Sequence, residues 1–396
     1  MKGDAGTGGD KTHPASSADS GSPTKPMAVT DPGPGGLYLT ASGEALAVTG
    51  YDFPPATPDD TFLVDGWIFR LRHEIVTIDH VKLWENPDMV PADQSQHGKQ
   101  VAHLDGPWAI DLHQGGPLTG EGGAPEQAQP FAAIKGKDDG SAFDTTMRYA
   151  FGFDTVAATK DATAVNLDDD GRADYDFMVA QGYTVLYVGT VSRPADDGCD
   201  SGGNSYDFSV LPKTLDFKLG FSTPTSYVNC QNGSEFPGVP GLNGEDYQRG
   251  IQFRSDRSVI GQVTVHADHP FWESFAEDSA LRFDQIVAQY VGVSNPVASV
   301  EDMKGVDFTA FTDKTGKALP MRTCVDSSLY MPPYAAGQQL HFDPLKVPVS
   351  KSATDPAKAI RDYYDYIRYT QSTQGHLNSQ GLCFVSRNYP SPPGGS

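Results

Sequence analysis

The chain has 396 residues, of which 38% are hydrophobic and 20% are charged, so it holds enough apolar material for a large folded core. Acidic residues number 51 against 29 basic ones, and the formal net charge is −22. Such a charge repels phosphate groups and excludes nucleic acid as the expected partner. The carboxylate excess suits hard cations, or it serves only solubility.

From Gly3 to about Gly36 the sequence is mostly Gly, Ser, Thr, Pro, Asp and Ala, with almost no apolar side chain. Because such a segment cannot offset its ordering entropy, we predict a flexible tether over residues 1–36 and a single domain over 37–396. We expect an export signal that has been removed. We also expect either attachment of the tether to a cell surface or outer membrane, for which a lipid is one means, or a periplasmic location. We expect a monomer.

After the tether, short apolar runs are separated by Gly, Pro, Asp and Asn, and the chain contains 42 Gly and 30 Pro. This texture predicts a mainly β fold, a single large β-rich domain with a few peripheral helices. The predicted strands are Leu37–Val48, Phe62–Trp84, Ala109–His113, Met147–Phe153, Tyr183–Val191, Thr214–Phe221, Ser258–His266 and Leu340–Phe342.

Two helices are predicted. One covers about Phe271–Tyr290, and the other begins at Thr354-Asp355-Pro356 and stops before Gly375.

The four cysteines are Cys199, Cys230, Cys324 and Cys383, and none of them forms a Cys-Xaa-Xaa-Cys pair. Two disulfides and an oxidising compartment are therefore predicted. Three connectivities are possible. We favour Cys199 with Cys230 and Cys324 with Cys383, because each pair brackets a stretch rich in Gly, Ser, Asn and Pro that a staple would order.

The segment from Asn166 to Asp174 has the spacing of a calcium loop, with Gly171 at position 6. The oxygen ligands at positions 1, 3, 5, 7 and 9 would come from Asn166, Asp168, Asp170, the Arg172 carbonyl and Asp174. Position 12 is Phe177 rather than glutamate, and Tyr175–Val179 is predicted to be a strand. The segment is similar to the short calcium loops of exported β-proteins; the alternative is a solvated acidic turn.

A second candidate site lies where the predicted strand Ser258–His266 ends. His266 and His269 are three residues apart and can converge on one ion, and Asp268 or Glu273 could fix an imidazole tautomer. Trp272 would shield the site from water. The alternative is that these histidines cap turns or pack on aromatic rings.

A third cluster of histidines lies between residues 73 and 113. Its members are His80, His97, His103 and His113, with Trp84 and Trp108 between them. His73 falls on the apolar face of its strand, where a buried structural role is favoured over metal ligation. The others either converge with His266 or are scattered surface histidines.

No nucleophile elbow, phosphate-binding glycine loop or His-Glu-Xaa-Xaa-His helix is present, so no enzymatic activity is predicted.

Four segments, VTVHADHPFWESF, MRYAFGF, DGPWAIDLHQGG and QSTQGHLNSQGLCF, resemble the surface-associated copper-binding proteins of methane-oxidising bacteria, the MopE and CorA-type family. That resemblance implies an exported β-rich domain that holds one copper ion through imidazoles and an oxidised tryptophan, kynurenine, two residues before a histidine. His266 and His269 match the histidine segment of the family. The chain has no Trp-Xaa-His, so we expect copper to be held by another set, such as His266, His269 and His113, or to be absent.

The leading hypothesis is an exported copper-binding protein with a structural calcium ion. Neutral imidazoles without thiolate suit copper or zinc, whereas calcium avoids them. An adhesive or structural surface protein stabilised by calcium is the first alternative, and a mononuclear copper oxidoreductase is the second.

Overall fold

The computed structural model describes residues 29–57, 60–193, 199–235, 238–274, 279–325, 336–342 and 359–388. The fold is mainly β, with 33% strand and 15% helix, which confirms the predicted fold class. The strands are β1 (Leu37–Ser42), β2 (Ile68–Glu85), β3 (Gln100–Leu104), β4 (Trp108–Asp111), β5 (Leu118–Thr119), β6 (Gln127–Ile134), β7 (Arg148–Thr155), β8 (Thr163–Ala164), β9 (Val185–Ser192), β10 (Thr214–Phe221), β11 (Thr225–Val228), β12 (Ile251–Gln252), β13 (Val259–Val265), β14 (Val297–Ala298), β15 (Gly375–Leu377), β16 (Gly381–Leu382) and β17 (Phe384–Arg387). The α-helices are α1 (Glu44–Thr49), α2 (Asp169–Gln181), α3 (Asp284–Val287) and α4 (Tyr363–Gln371).

The strands form two sheets. The smaller sheet has the order β16-β15-β13-β1-β6-β5, and the larger has the order β14-β10-β9-β2-β7-β11-β17. Four short strands extend the larger sheet: β3 and β4 pair with β2, β8 pairs with β4, and β12 pairs with β7. Leu39 of β1 and Val263 of β13 are fully buried in the same apolar cluster as Phe69 and Tyr187 of the larger sheet. The two sheets therefore share one core, and β13 lies inside the smaller sheet between β1 and β15.

Several predicted strands are confirmed, and Thr214–Phe221 is matched in full by β10. The first one is too long, because β1 ends at Ser42 and α1 follows. In β2 the register shifts between Leu71 and His73. This bulge breaks the simple alternation, so that His73 and Glu74 are both buried.

The helix predictions are only partly correct. The C-terminal helix begins at Tyr363, where the Asp362 side chain accepts a hydrogen bond from the Asp365 N–H, and its predicted start at residues 354–356 lies outside the described residues. Gly375 belongs to β15 instead of ending the helix. The long helix predicted over Phe271–Tyr290 is wrong, because that stretch contains the short α3 followed by one 3-10 turn.

Two disulfides are present, as predicted, but the favoured connectivity is wrong. The bonds join Cys199 to Cys324 and Cys230 to Cys383. Each bond links segments that are distant in sequence, so neither closes the local loop that the composition suggested. The bonds indicate an oxidising environment.

Candidate metal centre

The centre of interest lies just beyond the C-terminal end of β13. The strand ends at Val265, and His266 follows it with its side chain buried against the sheet. A 3-10 turn over His269–Phe271 follows, with Pro270 near its start, where the missing N–H of proline is tolerated. His269 is 3% exposed and His266 is 7% exposed, so both imidazoles are withdrawn from water.

The structure brings the two predicted histidines together. Their ring centroids lie 5.3 Å apart, and ligand atoms of His266, Asp268 and His269 all lie within 4.8 Å of one another. Two imidazoles and a carboxylate at this separation can serve one first-row metal ion.

A hydrogen bond fixes the proton position of His266. Its Nε2 lies 2.9 Å from the backbone carbonyl oxygen of Ser379. A carbonyl can only accept, so Nε2 carries the hydrogen and donates it, and in the neutral ring Nδ1 keeps its lone pair. Nδ1 lies 3.4 Å from a carboxylate oxygen of Glu44.

A second hydrogen bond fixes His269 in the opposite tautomer. Its Nδ1 lies 2.8 Å from Oγ1 of Thr373, and that hydroxyl donates its own hydrogen to the carbonyl of Thr370. The hydroxyl is thus an acceptor for His269, whose Nδ1 carries the hydrogen and whose Nε2 lone pair is available to a metal ion.

The environment keeps the imidazole of His269 neutral. Burial lowers its pKa well below the ordinary value, and the neighbouring charges of His266 and His376 lower it further. Because only an unprotonated nitrogen can ligate a metal ion, this histidine is competent at neutral pH.

Trp272 covers one side of the centre. Its ring lies 3.8 Å from that of His269, centroid to centroid, and its Nε1–H donates to a carboxylate oxygen of Asp268 at 3.1 Å. The other oxygen of Asp268 is buried without a hydrogen-bond partner. The indole therefore both shields the imidazole and orients the carboxylate.

One fully buried acid, Glu74, and one partly buried acid, Glu44, lie around the centre. Burial raises the pKa of Glu44 to about 7, with the charge of His266 opposing the rise and that of Asp268 adding to it. Burial raises the pKa of Glu74 well above its ordinary value, and the charges of Asp111, Glu44 and Asp268 add to the effect. Both oxygens of Glu74 are buried without a hydrogen-bond partner. Both shifts favour the neutral carboxylic acid in the absence of a cation, and a bound cation would stabilise the charged carboxylates instead.

His376 is the residue that sequence analysis missed. It is 5% exposed, and its ring centroid lies 4.0 Å from that of His266 and 5.5 Å from that of His269. It belongs to β15, which pairs with β13 only in the folded sheet. Its segment carries part of the family resemblance, but no local spacing in the sequence predicts the contact with His266 and His269.

His113, the third copper ligand predicted from sequence, lies elsewhere. Its Nδ1 is 2.6 Å from the carbonyl oxygen of Ala47 in α1. His376, not His113, takes part in the ring contacts of the histidine pair.

The other histidines of the third cluster have partners of their own. The buried His73 Nδ1 lies 2.6 Å from Asp111, in keeping with the structural role that was favoured. His97 packs on Trp84, and His103 pairs with Asp138.

His80 belongs to a second group of possible ligands, with Asp79 and Asp105. Its side chain is 44% exposed, and its Nδ1 already lies 3.2 Å from Asp154. One oxygen of Asp79 accepts the backbone N–H groups of His80 and Gly106. This group is therefore less suited to hold an ion than the buried centre.

The predicted calcium segment forms the start of α2 instead of an open loop. Asp168 is the N-cap, with one oxygen accepting from the Gly171 N–H and the other from the Gln114 side chain. Asp174 pairs with Lys218 at 2.6 Å.

The remaining predicted ligands are directed elsewhere as well. The Asn166 side chain bonds the backbone of Asp111, and Asp170 and Arg172 lie within the first turn of the helix. The strand predicted over Tyr175–Val179 is helical. The calcium ion itself stays a prediction.

Comparison with protein-family models, with curated proteins and with solved structures gives no match. Within the described part of the chain, no helix has the length and apolar character needed to cross a bilayer.

Proposed function

We propose that the chain binds copper at the centre formed by His266, Asp268 and His269. The observation that carries the proposal is the pair of fixed tautomers: each imidazole donates one hydrogen bond to a neighbouring oxygen and keeps the lone pair of its other ring nitrogen for an ion. Both rings are buried, and a carboxylate lies within reach of both. Imidazole nitrogens favour copper or zinc over calcium and magnesium.

The proposed role is metal capture in an oxidising compartment. The disulfides support the compartment, and the family resemblance supports copper over zinc. The proposal also includes attachment to a cell surface by the 1–36 tether through a lipid, and a monomeric state. Residues 1–28 lie outside the described residues.

Replacing His266 and His269 with alanine tests the proposal. The double variant should lose stoichiometric copper binding in an equilibrium titration against a competing chelator. A matched control is His103→Ala with His341→Ala, which also removes two imidazoles but from exposed positions.

Three outcomes are informative. Loss in the first variant alone supports the site. If both variants bind copper as tightly as the natural chain, the copper site lies elsewhere in the protein. A natural chain that holds no copper in either oxidation state would favour the adhesive or structural alternative.

A further inference from the structure

One short segment, residues 373–379, contacts both His266 and His269. Thr373 accepts the hydrogen bond of His269, and the carbonyl of Ser379 accepts that of His266. Midway between them, His376 directs its ring against the same two imidazoles. The segment therefore supplies the groups that orient both proposed ligands and adds a third imidazole.

His376 has an unusual environment for a buried histidine. Neither of its ring nitrogens has a hydrogen-bond partner of normal geometry, although backbone carbonyls of Thr373 and Ser379 lie nearby. A buried polar atom without a hydrogen-bond partner is destabilising, so two such atoms in one ring require an explanation. Ligation of an ion by one nitrogen supplies it.

The backbone around His376 is firmly held. In β15 it pairs with Thr264 of β13, and the Asn378 side chain accepts from the Gln262 N–H and donates to Asn232. The Cys230–Cys383 disulfide ties the end of the same hairpin to a neighbouring segment. The Cα position is thus preorganised for a ligand, at little entropic cost on binding.

We propose that His376 is a ligand of the same ion, which gives the site three imidazoles and the Asp268 carboxylate. The inference rests on the proposed function. The ligand atoms within 4.8 Å of one another belong to His266, Asp268 and His269, so the His376 ring must turn toward them when the ion binds. Turning breaks no hydrogen bond of normal geometry, because neither ring nitrogen makes one.

Three imidazoles and one carboxylate define the class of ion. This set favours copper and zinc, and it disfavours calcium and magnesium, which prefer oxygen ligands. The competing explanation is that His376 only fills space against the His266 ring.

His376→Phe separates these explanations, because phenylalanine keeps a planar ring at the position and cannot ligate. X-ray absorption of the copper-loaded natural chain should count three imidazoles, and the variant should show two. Copper affinity of the variant should fall by more than about 100-fold, since even loss of an outer hydrogen bond to a ligand costs 10–100-fold. His103→Phe is the matched control and should change neither quantity.

The outcomes distinguish this inference from the proposed function. A natural chain that binds copper through only two imidazoles, or a His376→Phe variant with unchanged affinity, would overturn the role of His376 alone. A natural chain that binds no copper would remove the proposed function and this inference with it. If the His376→Phe variant fails to fold, the number of imidazole ligands counted in the natural chain still tests the role of His376.

Discussion

Thr373→Val is the sharpest test of how the site is organised. Valine has nearly the shape of threonine but cannot accept the hydrogen bond from His269 Nδ1–H, which the Thr373 hydroxyl accepts at 2.8 Å. The imidazole then loses the group that fixes its tautomer and its orientation. We expect weaker copper binding without loss of any ligand.

The size of the expected loss in copper affinity follows from the hydrogen bond that Thr373→Val removes. Loss of an outer hydrogen bond to a metal-bound histidine lowers affinity by about 10–100-fold, equivalent to about 1.4–2.7 kcal/mol. The unpaired Nδ1–H also destabilises the metal-free fold by about 1–3 kcal/mol. Metal affinity and unfolding free energy should therefore both fall.

Competition against a chelator of known affinity measures the first quantity, and denaturant unfolding of the metal-free chain measures the second. Thr184→Val is a matched control, because the buried Thr184 hydroxyl donates to the Phe221 carbonyl away from the site. It should reduce stability by about 1 kcal/mol and leave copper affinity unchanged. Thr373→Ser should restore affinity, and a folded Thr373→Val chain with natural affinity would refute the tautomer argument.

Three further predictions concern other parts of the fold. Asp168→Ala removes the N-cap of α2 and should lower the free energy of unfolding by about 1 kcal/mol, with or without calcium. Replacement of the exposed Asp170 by alanine should leave that free energy almost unchanged. If urea unfolding shows equal losses for both variants, and only in the presence of calcium, the calcium loop is favoured instead. Serine substitution of both Cys230 and Cys383 should weaken copper binding, because it loosens the hairpin that carries His376. Serine substitution of Cys199 and Cys324 should lower the free energy of unfolding by about 2–5 kcal/mol and leave copper affinity unchanged. Burial raises the pKa of Asp65 to about 7, so its contribution to stability is full below pH 3.8 and is lost as pH rises through 7; Asp65→Asn should flatten this dependence in unfolding curves measured from pH 4 to 8, and an unchanged slope would contradict it.

The His266 and His269 pair could be predicted from sequence because both residues lie in one short stretch of chain. A strand that ends at a proline turn delivers two imidazoles three residues apart, and that pattern is visible without a structure. His376 could not be identified in the same way, because only the pairing of β15 with β13 brings it to the site. Long-range strand pairing has no local signature of comparable strength.

The calcium segment shows how one spacing can fit two structures. Alternating aspartates before a glycine suit an ion-binding loop, but an aspartate followed by acidic residues also suits the start of a helix, whose N–H groups and dipole favour negative charge. In α2 the second arrangement holds, with Asp168 as the cap and Tyr175 and Met178 packed into the core. The apolar residues after Gly171 therefore follow the helical period of about 3.6 residues rather than the alternation of a strand.

The disulfide connectivity could not be predicted from the sequence either, because it depends on which segments are neighbours in the folded chain. Four cysteines allow three pairings, and local composition favours short loops. The actual bonds follow tertiary neighbours: Cys230 comes after β11, and Cys383 lies between β16 and β17, which pairs with β11.

Titration of the purified, oxidised full chain with copper, in separate Cu(I) and Cu(II) experiments against a competing chelator, tests the central claim most directly. The account predicts one tightly held copper per chain, lost in the His266→Ala, His269→Ala double variant and retained when two exposed histidines are replaced. A natural chain that retains no copper in either oxidation state would contradict it.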